Sequence, residues 1–326
     1  MVLATPDRGS LDGAHAAIGD GVGLMLGYGM PLFWGGLVAG FAGQLRGFLL
    51  SWFVSYGDIG NYHVAVNFMM LIGLVTGSIA VTLFPAFSRL SYFSEPEKTR
   101  QAFRGSVRYS SMFVIPMICL LAAMSEPMVR ILYTTKYPQA PFFLSLLLVP
   151  NLLVGAGSLS IGSFLNSQGD TGTSMRVGLV GSVVSILISP VFVWMWGIFG
   201  LASSIIVSSI AGGAFGLYAL NKKYGLLPDL RHASRTLLSS AVSAGASFGV
   251  VRFTSAGSPF LSLFLGSCVF LLAFLFLASF MRVIEESDIG NLDSMLKGVA
   301  VIYPFARLLL EFERRIIRLT LRKSED

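Results

Sequence analysis

Apolar residues run along this chain in long uninterrupted blocks rather than in the alternating pattern of half-buried strands. Eight blocks have close to the roughly 20 residues that an α-helix needs to cross a bilayer. They cover residues 22–45, 61–85, 109–125, 142–165, 176–196, 199–220, 236–253 and 260–281. The fifth and sixth are joined only by an uncharged turn around residues 197–200, which predicts a tight helical hairpin. The pattern predicts an all-α, polytopic transmembrane helix bundle of about eight spans and excludes a β-barrel.

Positive charges favour one side of this predicted bundle. If both termini are cytoplasmic, 19 of the 23 Lys and Arg residues fall on the cytoplasmic side. The other four are Arg46, Arg130, Lys136 and Arg252. Because cytoplasmic segments of membrane proteins carry an excess of Lys and Arg, this asymmetry predicts an N-in, C-in orientation. The expected location is the cell (cytoplasmic) membrane, where membrane lipids surround a multi-pass chain.

The same pattern divides the chain into four regions. Residues 1–21 form a hydrophilic cytoplasmic segment, residues 22–220 hold six apolar blocks, and residues 221–281 hold two more. In residues 282–326, apolar residues recur at helical spacing between arginines. This spacing predicts a basic amphipathic cytoplasmic tail that lies on the anionic inner leaflet, or alternatively a solvated helix packed on the bundle. A shorter charged helix is expected over residues 95–107.

Composition agrees with a membrane protein and excludes several functions. The chain is 54% hydrophobic and 12% charged, about half the charged share of a soluble domain. Its net charge of +6 comes mainly from Lys and Arg residues on the predicted cytoplasmic side. The charge therefore does not indicate a nucleic-acid partner, and none is expected. Cys119 and Cys268 lie inside apolar blocks without the spacing of a metal site. No hydrolase, phosphate-loop or zinc-protease motif occurs, and no Asp, Glu or His lies deep in a block, so we expect no enzyme activity, cofactor or metal.

Small residues line one face in two of the blocks and are enriched in a third, and prolines interrupt others. The small residues are Gly36, Gly40 and Gly43 in the first block, Gly212, Gly213 and Gly216 in the sixth, and Ser243, Gly245, Ser247 and Gly249 in the seventh. Such faces let helices approach closely, either for static packing or for sliding between moving helices. The prolines are Pro31, Pro116, Pro150 and Pro190. They are expected to kink or break their helices, as in bundles that surround a cavity.

Four polar side chains are candidates for substrate contact, namely Arg46, His63, Asn67 and Asn151. Apolar residues continue beyond Arg46, so its helix is expected to run past it. The arginine then either serves a function inside the bundle or extends to the outer headgroups. His63 and Asn67 share a helix face and either contact a polar headgroup or, with the nearby Asn61, bond to neighbouring helices. Asn151, beside Pro150, is the deepest amide of its block and a candidate lining residue of a cavity.

Several motifs of the chain form a recognisable series. They are Gly60 and Tyr62 at a helix start, Leu83, Phe84, Pro85 and Ser88 at its end, then Arg108 and Tyr109 at the next span. The later runs NSQGDTGTSM and WGIFGLASS and the earlier run LRGFLLSWFVSYGDIGNY extend the series. Together they resemble polysaccharide exporters and lipid-linked oligosaccharide flippases of the multidrug/oligosaccharidyl-lipid/polysaccharide exporter superfamily. The resemblance covers about residues 22–225, and Leu45 departs from it because an acidic residue often precedes the arginine.

The resemblance implies a transporter that moves a polyprenyl-linked oligosaccharide across the membrane for surface polysaccharide assembly. Family members usually pair two helical lobes around a polar cavity. This chain resembles the C-terminal lobe, residues 22–220, followed by two extra helices, with residues 1–21 similar to the linker between lobes. A truncated or half-transporter is therefore expected, with a second copy or a separate N-terminal-lobe chain as partner and a lipid-linked glycan as substrate.

Two alternative functions remain open on the sequence. A multidrug or cation efflux antiporter of the related branch is disfavoured, because such proteins place carboxylates inside their helices and these blocks hold none in their interiors. The other alternative is a non-transporting membrane scaffold or remnant.

Overall fold

The computed structural model describes residues 8–254, 257–281 and 283, which form helices and connecting turns without a strand. The helices are α1 (Arg8–Phe53), α2 (Tyr56–Ser88), α3 (Pro96–Ala123), α4 (Ser125–Tyr133), α5 (Ala140–Leu148), α6 (Ser158–Ser167), α7 (Thr171–Tyr224), α8 (Leu230–Thr254) and α9 (Pro259–Phe280). A 3₁₀ helix, Val149–Ala156, joins α5 to α6. The predicted all-α class is confirmed. The predicted amphipathic tail lies outside the described residues, residue 283 apart.

The apolar blocks coincide with the helices. Six described helices are long and apolar enough to cross a membrane, or seven if the bent pair of residues 140–156 and 158–167 is one span. Gly197 has non-helical backbone angles (φ 56°, ψ −128°) and divides α7 into a first arm, residues 171–196, and a second arm, residues 198–224. With α7 divided in this way, seven of the eight predicted blocks each lie mainly on one helix or arm, and the fourth spans α5, the 3₁₀ helix and α6. The number of spans and their orientation remain predictions.

Three elements differ in detail from the sequence analysis. The charged helix 95–107 and the third block form one continuous α3, since no turn-forming sequence separates them and Pro96 stands in the first turn, where proline is tolerated. The fourth block is bent by 54° at Gly157, whose φ of 87° is one that glycine adopts without strain. At the other end of the chain, α1 begins at Arg8, so part of the segment 1–21 is helical.

The two arms of α7 pack closely against each other, as the tight hairpin predicted. The hydroxyls of Ser189 and Ser204 lie 3.0 Å apart across the two arms. A Cβ added to Gly212 would lie only 3.4 Å from the Cα of Gly181. Small residues therefore bring the two backbones into near contact, which confirms the close-packing role of the glycines in the sixth block.

The remaining helices surround two main apolar cores, a small third one and a hairpin. The larger core draws buried side chains from α2, α3, α5 and the arms of α7. The smaller core is aromatic, with the rings of Phe87 and Phe164 edge to face at 5.5 Å and those of Phe164 and Tyr224 at 5.1 Å. Helix α8 packs on α3 and α9, and the hydroxyl of Ser247 donates to the carbonyl of Gly266 on α9 at 2.7 Å. Helix α1, by contrast, packs mainly on α7.

Candidate functional site

Arg46 stands inside α1, and the helix continues past it to Phe53, as predicted. Its Nε donates to the carbonyl oxygen of Ala42 at 3.2 Å, and the side chain is half-buried. Tyr62, at the start of α2, lies close enough to Arg46 to interact electrostatically with its charge. Among the described residues Arg46 forms no ion pair with a carboxylate, so its terminal guanidinium nitrogens are available to an anionic ligand.

His63 and Asn67 are both exposed on α2. The His63 ring meets the ring of Tyr62 edge to face, with centroids 5.7 Å apart. The amide of Asn67 donates to the hydroxyl of Tyr133 at 3.5 Å. Tyr62 is therefore a common neighbour of Arg46 and His63, whereas Asn67 is held by an aromatic side chain at the end of α4.

Asn61 has a structural role, which was one of the two alternatives for this group. Its side-chain oxygen accepts hydrogen bonds from the backbone N–H groups of Gln139 and Ala140, both at 3.0 Å, and its amide donates to Gly57 at 2.9 Å. It thereby caps the start of α5, which the N–H groups of a helix N-terminus require. The motif glycine next to it, Gly60, is needed for close packing at the same position, because a Cβ on Gly60 would lie 2.9 Å from the Tyr137 ring.

Asn151 lies on the wall of an open cavity of about 470 Å³, which is lined by α2, the 3₁₀ helix, α6 and both arms of α7. The residue is half-buried, and its amide makes only a long bond of 3.5 Å to the carbonyl of Leu147. The cavity forms where the fourth apolar block breaks, because the 3₁₀ helix and the bend at Gly157 keep α5 and α6 from forming one straight helix. The sequence predicted the break and the amide but not which helices would complete the wall.

The structure does not gather the four candidate residues into one cluster. In the described part of the chain, no hydrogen bond or ion pair joins Arg46, His63, Asn67 and Asn151 to one another. Arg46 and His63 share a neighbour, and Asn151 faces the cavity. Their role in substrate binding remains a prediction. Within the same residues, no three His, Cys, Asp or Glu side chains come together as metal ligands.

Gln168 has a structural role that the sequence analysis did not predict. Its amide donates to the carbonyl oxygens of Phe87 at 3.1 Å and Leu90 at 2.9 Å, and its oxygen accepts from the N–H of Tyr92 at 3.3 Å. These bonds satisfy backbone groups at the C-terminal end of α2. The only signal in the sequence was that Gln168 belongs to the run NSQGDTGTSM.

Asp170, in the same run, connects the two ends of α7. It caps the helix by accepting from the N–H of Thr173, and it also accepts from Lys223 at 2.7 Å and from the Tyr224 hydroxyl at 3.1 Å. Partial burial alone would raise the pKa of Asp170, but the hydrogen bonds from Lys223, Thr173 and Tyr224 and the charge of Lys223 together lower that pKa. The ionised carboxylate is therefore the form that holds the two arms together.

Comparisons with known proteins agree with the motif resemblance. Residues 19–141 match the family model described as "Polysaccharide biosynthesis protein". The chain is 21% identical, over 257 residues, to the "Probable low-salt glycan biosynthesis flippase Agl15" of Haloferax volcanii; the match covers 76% of this chain and 54% of that relative. This chain spans about half the length of the curated relatives it matches.

Solved structures show the same fold. A lipid II flippase, MurJ, in an inward closed conformation aligns with a TM-score of 0.60 and 16% identity over 77% of this chain and 52% of that one. A multidrug resistance transporter of the MATE family in an outward-facing conformation aligns with a TM-score of 0.56 and 17% identity over 91% and 77%. Because a flippase and a multidrug transporter share this fold, the fold does not distinguish between them. These findings confirm that the chain is related to the polysaccharide exporters and lipid-linked oligosaccharide flippases that its motifs resemble.

Proposed function

We propose that this chain acts in a flippase that moves a polyprenyl-linked oligosaccharide across the cytoplasmic membrane for surface polysaccharide assembly. The observation that carries the proposal is the relationship to a glycan biosynthesis flippase over 257 residues. The geometry is compatible with it, since a bundle with a half-buried arginine and an uncharged cavity offers contacts to an anionic group and to a neutral one. The protein is accordingly proposed to be a transporter rather than an enzyme.

The antiporter alternative receives less support from the described helices. Carboxylates that bind protons or sodium ions inside a bundle are expected deep in its spans. In the described apolar spans, the carboxylates instead stand in first turns, Asp58 in α2 and Glu97 in α3, and Asp170 stands just before α7. A flippase therefore fits the charge distribution better.

Transport is proposed to require a partner, either a second copy or a separate N-terminal-lobe chain. Among the described side chains of α1 only Ala42, Leu49 and Leu50 are buried, and large side chains such as Phe33, Trp34 and Phe41 are exposed. Alternating access also requires two bundles that move about a site between them. If α1 covers part of a second bundle, its exposed side chains become buried and the second bundle that alternating access requires is present.

The proposal is tested by flipping of a fluorescent lipid-linked oligosaccharide in proteoliposomes. We expect flipping when the chain is reconstituted with its partner and none when it is reconstituted as a demonstrated monomer. Robust flipping by the monomer would contradict the need for a partner. Absence of flipping under every condition, with the folded protein present, would contradict the flippase itself.

The proposed orientation has its own test. Exposed positions suit substituted-cysteine labelling, namely Gly57 at the start of α2, Ser94 before α3 and Ser234 in the first turn of α8. With an N-in, C-in chain, Gly57→Cys is labelled from outside intact cells, whereas Ser94→Cys and Ser234→Cys are labelled only after permeabilisation. External labelling at Ser94 would reverse the orientation.

A further inference from the structure

The cavity beside Asn151 has the dimensions of a ligand site rather than of a packing defect. Its volume of about 470 Å³ lies within the range of small-molecule pockets, which run from roughly 300 to 1,000 Å³. Two of its lining glycines, Gly162 and Gly178, have nothing within 4 Å of an added Cβ. Their missing side chains therefore leave part of the space open, and larger residues there would enter it.

Several hydroxyl groups on the cavity wall are unused by the protein. The side chains of Ser158, Ser174 and Ser209 line the cavity, and none of them donates to a protein acceptor in the described part of the chain. Elsewhere in the apolar helices, serine hydroxyls donate to a carbonyl of their own helix, as Ser78 and Ser145 do at 2.8 and 3.0 Å. Polar groups within a membrane-spanning region require a partner, so the cavity hydroxyls are positioned for one that is not protein.

The chemistry of the wall identifies the kind of partner. Asn151 adds an amide, and Thr76 adds a hydroxyl that donates to the Ile72 carbonyl at 2.9 Å and can still accept, so the wall both donates and accepts hydrogen bonds. Among the described residues no Asp, Glu, Lys, Arg or His lines the cavity, which makes it a poor site for phosphate. Apolar side chains, among them Leu153 and Val177, complete the lining and suit the C–H faces of a polyol. The space is also far larger than a single cation needs.

We infer that this cavity binds an uncharged, hydroxyl-rich group of the size of a sugar ring. The inference rests on the proposed function in that a lipid-linked glycan carries such groups. It adds a site inside the helical bundle that is separate from the arginine, whose charge suits the phosphate end of the same substrate. The carbohydrate and the phosphate are then recognised by different parts of the chain.

The test measures whether a neutral sugar protects a cysteine in the cavity. Ser174→Cys, in a protein with Cys119→Ala and Cys268→Ala, is reacted with a small neutral maleimide in lipid nanodiscs, with N-acetylglucosamine or with sodium chloride added. We expect the sugar to slow labelling several-fold and the salt to have no effect. Gly57→Cys, on the exposed start of α2, is the control whose labelling rate should not change.

Variants that fill the cavity test whether the sugar binds inside it. Gly178→Leu should abolish the protection, whereas Gly245→Leu should retain it, since Gly245 is equally open but does not line the cavity. Gly162→Leu is a second filling variant should Gly178→Leu fail to fold. Labelling that the sugar leaves unchanged would show a cavity that holds water only and would overturn the inference.

Two other results would also overturn it. Protection by sodium chloride would identify a cation site, and a complete lack of labelling at Ser174→Cys would show a cavity closed to water. Sugar protection uses the purified chain alone and does not require flipping. A protein that binds the sugar but flips no lipid would therefore contradict the proposed function and leave this inference intact.

Discussion

The second arm of α7 and helix α1 both carry glycines at helical spacing, but they have different surroundings. On α7, a Cβ at Gly212 would lie 3.4 Å from Gly181, and one at Gly216 would lie 3.3 Å from Val177. On α1, an added Cβ at Gly36 or Gly40 would find nothing within 4 Å, and the same holds for Gly43. The predicted close-packing face is therefore confirmed in the sixth block, whereas that of the first block is unoccupied in the described structure.

This difference shows that a glycine allows two helices to pack closely but does not by itself produce the contact. Small residues allow backbones to approach, but the stabilisation comes from van der Waals contact with whatever helix faces them. The first arm of α7 is tethered to the second by the turn at Gly197, so its contact forms within the chain. Among the described residues no neighbour packs on the face of α1 that carries Gly36, Gly40 and Gly43, and under our proposal its contact depends on a second molecule.

The largest effect is expected at the turn of the hairpin. A Cβ at Gly200 would lie 1.8 Å from the carbonyl oxygen of Phe192, so Gly200→Ala forces the backbone to move. We expect it to lower the free energy of unfolding by about 3 kcal/mol, the upper part of the usual range for overpacking. Thermal unfolding in detergent measures this change, and Gly36→Ala on α1 is the matched control. Equal stability of the two variants would contradict the difference in packing between the α7 hairpin and α1.

A leucine on each glycine face gives a smaller and more selective effect. Gly212→Leu separates the two arms of α7 and should lower the free energy of unfolding by about 1–3 kcal/mol. Gly40→Leu should leave the unfolding of the isolated chain unchanged, because nothing lies within 4 Å of its Cβ. If α1 covers a partner, Gly40→Leu should instead reduce co-purification and flipping. Full association of this variant would exclude its face from the interface.

Arg46 extends the comparison to the polar edge of α1. A guanidinium binds phosphate through two parallel hydrogen bonds that an ammonium cannot reproduce. In a complementation assay, Arg46→Ala should be inactive and Arg46→Lys should lose about tenfold in transport, since a charge-assisted hydrogen bond contributes about 1.5–3 kcal/mol. Membrane abundance of both variants is the control. Full activity of Arg46→Ala would show that the arginine only anchors α1 at the membrane surface.

The smallest effect is expected at the open end of the hairpin. Because the pKa of Asp170 is lowered in the folded chain, its ionised form stabilises the fold above the ordinary value of 3.8, and this stabilisation is lost as pH falls through the lowered pKa. Asp170→Asn keeps a helix-capping side chain but loses the charge that pairs with Lys223, so it should lower the free energy of unfolding by about 0.5–1 kcal/mol at neutral pH, as loss of an exposed ion pair does. Chemical unfolding at neutral and strongly acidic pH measures the difference, which should vanish in acid. A difference that does not depend on pH would exclude the carboxylate charge as its cause.

Local pattern was sufficient for much of the fold. Apolar block length predicted the helices because a bilayer-spanning segment must satisfy its own backbone hydrogen bonds. The uncharged turn predicted the α7 hairpin, and the continuation of apolar sequence past Arg46 predicted that α1 runs beyond that residue. The break in the fourth block was foreseen at Pro150, although the bend itself occurs at Gly157, where only the backbone angles show it.

The roles of individual polar residues were decided by tertiary structure. Nothing near Asn61 in the sequence shows that its amide caps a helix that begins at Ala140, and Gln168 reaches α2 across a similar separation. The cavity, likewise, exists only because helices distant in sequence meet around Asn151.

By itself the sequence determined the helical class, the hairpin and the family resemblance, since these depend on residues that are neighbours along the chain. Tertiary structure alone decided which glycine face is packed and which polar groups are already satisfied. Packing and hydrogen bonding depend on what lies opposite a side chain, and the residues of a helix face do not by themselves specify which element packs on it.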